Sequence, residues 1–198
     1  NFSFLRAAAH PEELTETAKE LGLAGIGIAD RNSLAGIVRA HAIAKELEFP
    51  LAIGARLVFR DGAPDILAYP KDRPAYARLT RLLTIGNRRA PKGECWLDLQ
   101  DFLSHCQGLQ AIFAPLIQAG ELPDARLKTC LKSIHDKNGA VWLAARFIFD
   151  GEDRRRLRLL KALARETGAR LIATTEPLFH APERRALMDV ITCIREKT

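Results

Sequence analysis

No apolar run in this 198-residue chain approaches the roughly 20 residues that a membrane-spanning helix requires. A helical membrane protein is therefore excluded. The four cysteines, Cys95, Cys106, Cys130 and Cys193, lie far apart without a C-x-x-C pair, which excludes a zinc knuckle and a disulfide framework. Cysteines scattered in this way pack as small core residues of a cytosolic protein, and a cytoplasmic location is expected. None of the five histidines forms an H-x-H or H-E-x-x-H pair, and there is no Walker A, Gly-x-Gly-x-x-Gly or nucleophile-elbow sequence. Gly22, Gly25 and Gly27 precede the end of their strand rather than follow it, so they make no phosphate loop. Ser33 has no convincing His and Asp partners.

What is present is an ordinary globular composition: 47% hydrophobic, 27% charged, with a net charge of +6 and a pI near 9.4. A chain this long buries roughly 70% of its unfolded surface, enough for one sizeable core without staples. It opens on Asn1 rather than methionine, which reads as a piece of a longer protein.

Helix and strand patterns alternate along the chain. Pro11, Leu14, Ala18 and Leu21 predict a first helix that stops at Gly22. Leu23–Ala29 reads as a strand buried on both faces, followed by a helix from Ser33 to Leu47 with Leu34, Ile37, Val38, Ala42 and Ile43 turned inward. A short strand at Leu51–Ile53 precedes a hairpin of Arg56–Phe59 and Ile66–Tyr69 across Asp61-Gly62. Helices are expected at Pro74–Ile85, Asp98–Gln107, Pro123–Asn138, Glu152–Thr167 and Pro182–Glu196. Strands are expected at Leu109–Phe113, Ala140–Phe149 and Arg170–Thr174. Such alternation predicts an α/β fold with a largely parallel sheet, open or closed into a barrel.

In α/β folds, chemistry gathers at the carboxyl ends of strands. Asp30-Arg31-Asn32 follows one strand and Thr174-Thr175-Glu176 another. Asp30 and Glu176 could share a metal or do acid/base work. The plainer alternative is that Asp30 or Ser33 caps the next helix and Glu176 is a solvated acid. His41, His105 and His135 fall within helices, which leaves His10 and His180 as site candidates. Arg88, Arg89 and Lys92 lie in a Gly- and Pro-punctuated loop from Gly86 to Gly93, suited to a phosphate backbone. Arg154, Arg155, Arg156 and Arg158 open one helix and Arg184-Arg185 another, where a solvated face is the commoner role.

Several stretches are similar to the start of the bacterial error-prone C-family DNA polymerases, relatives of the DNA polymerase III alpha subunit. They are Asn1-Phe-Ser-Phe-Leu-Arg, His10-Pro-Glu-Glu-Leu, Gly27-Ile-Ala-Asp-Arg-Asn-Ser-Leu-Ala-Gly36, Tyr76-Ala-Arg-Leu, Arg88-Arg-Ala-Pro-Lys-Gly-Glu-Cys95, Ile172-Ala-Thr and the run from Pro182 to Glu196. The resemblance covers nearly the whole chain and identifies the N-terminal PHP (polymerase and histidinol phosphatase) domain. It implies a distorted (β/α)7 barrel lacking its first strand, with the domain at 1–182 and a terminal helix at 183–198 leading to the polymerase core.

Active PHP domains bind up to three metals at the strand ends and hydrolyse phosphoesters. Against their motifs, the paired histidine would precede Asn1, an Asp-His pair reads Asp30-Arg31, a glutamate corresponds to Arg56, and Asn-Asp-x-His reads Thr175-Glu176-Pro177-Leu178. The resemblance therefore implies a degenerate metal cluster at Asp30, Arg31, Arg56, Glu176 and Leu178, with no catalysis and no cofactor in this domain. Divalent metal would belong to an absent palm domain that carries nucleotidyl transfer. Arg31 and Arg56 are expected to replace the metal by pairing Asp30 and Glu176. Expected partners are the remainder of the polymerase, DNA, the sliding clamp and other damage-response polymerase proteins, in translesion synthesis and repair. The competing enzyme reading is a stand-alone metal-dependent phosphoesterase using Asp30, Glu176, His10 and His180. A third reading is a nucleic-acid-binding module in its own right.

Overall fold

Proline's fixed φ and a glycine's freedom at positive φ bound the first helix, α1 (Pro11–Glu20), as the sequence predicts. Gly22 sits at φ +70° and its N–H reaches the Lys19 carbonyl, while the Leu23 N–H reaches Ala18. That pair of bonds is a Schellman stop. It uses Leu23 in the helix end, so strand β1 begins three residues later than the apolar run suggests, and spans Ile26–Arg31. The computed structural model describes residues 2–115 and 125–198.

After β1 the backbone turns through Ser33–Gly36, with the Ser33 hydroxyl accepting the Ala35 N–H, and α2 starts only at Ile37 (Ile37–Glu46). Its buried stripe is Ile37, Ala40 and Ala44; Val38 and Ala42 face outward, against expectation. The apolar residues that α2 shares between two faces made both stripes readable, and the smaller one packs. Strand β2 runs unbroken over Leu51–Leu57, so Arg56 lies within it and not in a separate hairpin strand. Phe59 instead makes an isolated bridge with Leu97.

Strand β3 (Ile66–Pro70) leads into α3 (Arg73–Arg89), then α4 (Leu99–His105), β4 (Leu109–Phe113), α5 (Ala125–Asn138), β5 (Trp142–Ala145), α6 (Asp153–Thr167) and β6 (Arg170–Ala173). A single 3-10 turn at Pro182–Arg184 then opens α7 (Arg185–Glu196). The Pro123 and Asp124 start expected for α5 lies outside the described residues. Among the described residues this makes seven α-helices and a six-stranded sheet in chain order, β1-β2-β3-β4-β5-β6. β3 pairs antiparallel with β4, Ala68 opposite Ala111, whereas β4–β5 and β5–β6 are parallel.

The chain divides into two units, one of residues 1–55 with 176–198 and one of residues 56–175. In the first, α1 packs on α2 and buries Ala18, Ala40 and Ala44. In the second, the sheet strands bury Ile66, Phe113 and Leu143 against Leu79, Leu82, Phe102, Leu131, Ile134 and Leu163 of the helices, each essentially inaccessible to water. At roughly 1.5–3 kcal/mol per large apolar side chain, these contacts supply the main favourable term for that unit.

Gly86 is the informative departure in α3. The apolar spacing predicts a helix end at Ile85 with Gly86 in a loop, but α3 continues through Gly86 to Arg89. A Cβ there would lie 2.6 Å from the Cys95 sulfur and 2.8 Å from Leu97 Cδ2, and the Gly86 carbonyl accepts the Trp96 N–H at 3.0 Å. The glycine thus lets the returning chain lie directly on the helix.

Candidate functional site

In the first unit, Asp30 is the penultimate residue of β1 and its carboxylate is engaged by the chain itself. Oδ1 accepts the Ser3 hydroxyl at 2.9 Å, and Oδ2 accepts the Gly36 N–H at 3.1 Å. The same Ser3 oxygen accepts the Arg31 N–H at 2.9 Å. Gly36 is the N-cap residue of α2, and a Cβ on it would collide with Asp30 Oδ2. Asp30 therefore stitches the 2–6 segment, the end of β1 and the start of α2, at a helix end that favours a negative charge. The side chain of Arg31 is exposed.

Glu176 is half-buried and holds a left-handed backbone, φ +46°, which non-glycine residues rarely adopt. Two residues on, the Leu178 carbonyl accepts the Ala8 N–H at 2.8 Å while its side chain is exposed. His10 and His180, widely separated in sequence, meet around Glu13, a residue the sequence reading did not single out. Glu13 Oε2 accepts the His10 backbone N–H at 2.8 Å, Oε1 accepts Arg184 Nη2 at 2.7 Å, and His180 Nδ1 lies 3.5 Å from Oε2. His180 Nδ1 is shielded from water, and it makes no hydrogen bond at that distance. The His10 amide, aided by the Arg184 charge, holds the Glu13 carboxyl below its usual pKa despite its partial burial. The S/T-x-x-E pattern of a capping box would have exposed Glu13 in the sequence; His10 in the capping position hid it.

In the second unit, Arg56 Nε donates to Asp65 Oδ2 at 2.7 Å, both side chains being about a quarter exposed. Arg89 does not stand in a loop. It lies in the last turn of α3 and forms a two-pronged pair with Asp101, Nη1 to Oδ2 at 2.6 Å and Nη2 to Oδ1 at 2.9 Å. Asp101 also accepts the Asp98 N–H at 2.9 Å, closing the first turn of α4. The hydrogen bond from Arg89 holds the Asp101 carboxyl below its usual range. Arg88, in the same helical turn, and Lys92, beyond it, are exposed.

A metal cluster needs several carboxylate or imidazole ligands converging on one point. Among the described residues, no three His, Cys, Asp or Glu side chains are grouped so as to hold a metal ion. Both oxygens of Asp30 are occupied by an internal hydroxyl and an amide. The described residues therefore do not assemble a PHP-type metal cluster. Among them, too, no helix is long and apolar enough to cross a membrane.

The sequence profile of the PHP domain matches residues 1–176. The chain is 50% identical over 196 residues to an error-prone DNA polymerase of Caulobacter vibrioides, covering 99% of this chain and 18% of that one. It is 48% identical over 205 residues to an error-prone DNA polymerase of Rhodopseudomonas palustris, again spanning 18% of the relative's length. In structure it is similar to an amidohydrolase from Chromobacterium violaceum, with a TM-score of 0.59 at 15% identity over 92% of this chain and 86% of that one. A protein assigned as a metal-dependent phosphoesterase from Bifidobacterium adolescentis gives a TM-score of 0.58 at 16% identity, over 91% and 85% of the two chains. These structural likenesses extend to the fold, and the profile match over residues 1–176 fixes its lineage: the chain belongs to the PHP domain family.

Proposed function

We propose that this chain is the metal-degenerate PHP domain of an error-prone DNA polymerase, with a structural rather than hydrolytic role beside the domains that extend DNA. The observation that carries this reading is the state of Asp30, whose two oxygens accept hydrogen bonds from Ser3 and Gly36 and bind three segments of the first unit together. The 48–50% identity to error-prone polymerases, across about 18% of their length, supports the larger context. In that context the domain serves damage-tolerant DNA synthesis and repair, and its neighbours are the remainder of the polymerase chain and the DNA it handles. Arg88 and Lys92 are the cations of the 86–93 segment offered to a phosphate backbone, while Arg89 is engaged with Asp101.

Elemental analysis for zinc, manganese and iron on protein purified without chelator tests the central claim, paired with hydrolysis of p-nitrophenyl phosphate. Substoichiometric metal and no hydrolysis are expected. A full equivalent of metal per chain, with hydrolysis abolished in Asp30→Asn, would establish the phosphoesterase reading instead.

A further inference from the structure

Among the described residues of the second unit, the most exposed apolar cluster lies between β5 and α6. The apolar run predicts a strand as far as Phe149, but β5 stops at Ala145. Phe147 is 54% exposed, Ile148 51% and Phe149 88%. The two aromatic rings stand 6.5 Å apart, inclined at 60°. This segment is anchored rather than loose. Asp153 accepts the N–H of Ile148 at 3.0 Å and of Phe149 at 2.9 Å. Arg156 grips Asp150 through Nη1 and Nη2, at 2.8 and 2.5 Å, and its Nη2 also reaches Asp153 at 2.5 Å. Phe149 is held at φ +57°, a conformation a bulky residue adopts only when its surroundings impose it.

From this tip α6 carries a basic ridge. Arg154, Arg158, Lys161 and Arg165 recur every three or four residues and all are exposed. That spacing places them along one helix face over about 16 Å. From Arg154 to Arg165 the sequence holds six cations and no acid. Arg156 is committed to Asp150 and Asp153, and Arg155 lies 3.6 Å from Glu152, so those two are not counted in the ridge.

We propose that the Phe147–Phe149 tip and the α6 ridge form a binding surface for single-stranded DNA. The aromatic rings stack on unpaired bases, and Arg154, Arg158, Lys161 and Arg165 follow the phosphates. An apolar tip alone would suit a protein surface. The acids of α6 itself, Asp153 and Glu166, stand at its two ends and are engaged by Arg156 and Lys128. The row of exposed cations between them calls for a polyanion, and a polyanion with exposed aromatic faces is single-stranded nucleic acid. A duplex offers phosphates but keeps its base faces stacked. The proposed surface uses neither Arg88 and Lys92 nor any residue of the Asp30 cluster, so it stands or falls independently of the metal question.

The test is fluorescence anisotropy of a labelled 12-nucleotide oligo(dT), and of a blunt duplex of equal length, titrated with the 198-residue chain across a salt series. Binding of oligo(dT) is expected at low salt. The log–log salt slope should be about −2 to −3, from roughly −0.7 per neutralised phosphate. The variant Phe147→Ser/Phe149→Asn should weaken binding by roughly five- to a hundredfold, one stacked base being worth that range. Asparagine tolerates the left-handed backbone, so this variant should melt with the parent. Arg154→Gln/Arg158→Gln/Arg165→Gln should flatten the slope by about 2. The proposal is overturned if oligo(dT) is not bound, if the phenylalanine variant binds equally well, or if duplex binds as tightly as single strand. It is likewise overturned if the parent self-associates through the tip, with dimers dissolved by the phenylalanine variant and DNA binding unchanged.

Discussion

Replacing Asp30 by alanine separates a structural carboxylate from a metal ligand. In the parent, the carboxylate takes one bond from the Ser3 hydroxyl and one from the Gly36 amide, and faces the start of α2. A hydrogen bond to a charged acceptor is worth about 1.5–3 kcal/mol when buried. Asp30 is half-exposed, and water can replace part of the Ser3 bond. The Gly36 amide is less forgiving, because Gly36 itself is buried. Together the two losses come to about 2 kcal/mol, and for a chain of this size that lowers Tm by roughly 4–8 °C. Asp30→Asn, which keeps one acceptor and loses the charge, should cost about half as much. Thermal and urea unfolding measure both, with and without EDTA. The reasoning is refuted if Asp30→Ala changes stability by less than about 0.5 kcal/mol, the range of an uninvolved surface position. It is equally refuted if the difference between parent and variant disappears once metal is chelated.

Gly86→Ala brings two effects into opposition. Helix propensity favours alanine by about 1 kcal/mol, but a methyl 2.6 Å from the Cys95 sulfur and 2.8 Å from Leu97 overpacks by about 1–3 kcal/mol. Net destabilisation near 1 kcal/mol is expected in urea unfolding, partly recovered by Cys95→Ala in the same chain; a more stable Gly86→Ala would contradict the close packing. The anchored 147–150 segment should loosen in acid. The hydrogen bond from Arg156 lowers the Asp150 pKa from its ordinary 3.8 to about 2. A carboxyl depressed on folding stabilises above its unfolded pKa and loses that contribution as pH falls through the folded one. Amide exchange at Ile148 and Phe149 should therefore accelerate, beyond its intrinsic pH trend, between about pH 4 and pH 2. Asp150→Asn should reduce that dependence, the remainder coming from Asp153, which accepts both amides and whose carboxyl, although burial pushes it up, is held below its usual range by those amides and Arg156.

The alternation of helix and strand was readable because buried strands are continuous apolar runs and helix stops are glycines, as at Gly22 and Gly168. Boundaries failed where a polar contact intervened. β5 looked longer because Phe147, Ile148 and Phe149 continue an apolar run, and only the carboxylate of Asp153 shows why the backbone leaves the sheet. α3 looked shorter because an isolated glycine reads as a break unless the segment packed on it is known. Arg88 and Arg89 illustrate the limit for site residues. They are adjacent, chemically alike and both exposed, yet Arg89 is clasped by Asp101, twelve residues on. Asp30, His10 and His180 were legible as candidates from their places after strands and beside helices. Their joining through Ser3, Gly36 and Glu13 depends on distances that no local pattern encodes.

The Glu13–Arg184 bond joins residues 171 positions apart, within a unit built from both ends of the chain. On the ribosome, a chain growing at about 5–20 residues per second leaves Glu13 waiting roughly 10–30 s for its arginine. The segment 56–175 is continuous and can gather its core as it emerges. The first 55 residues cannot complete their unit until α7 has been made. Ribosome stalling or truncation before residue 184 would thus leave α1 and α2 without the segment that completes their unit, a product suited to chaperones and proteases. Synthesis order makes the C-terminal helix the step that certifies the start of the domain as finished.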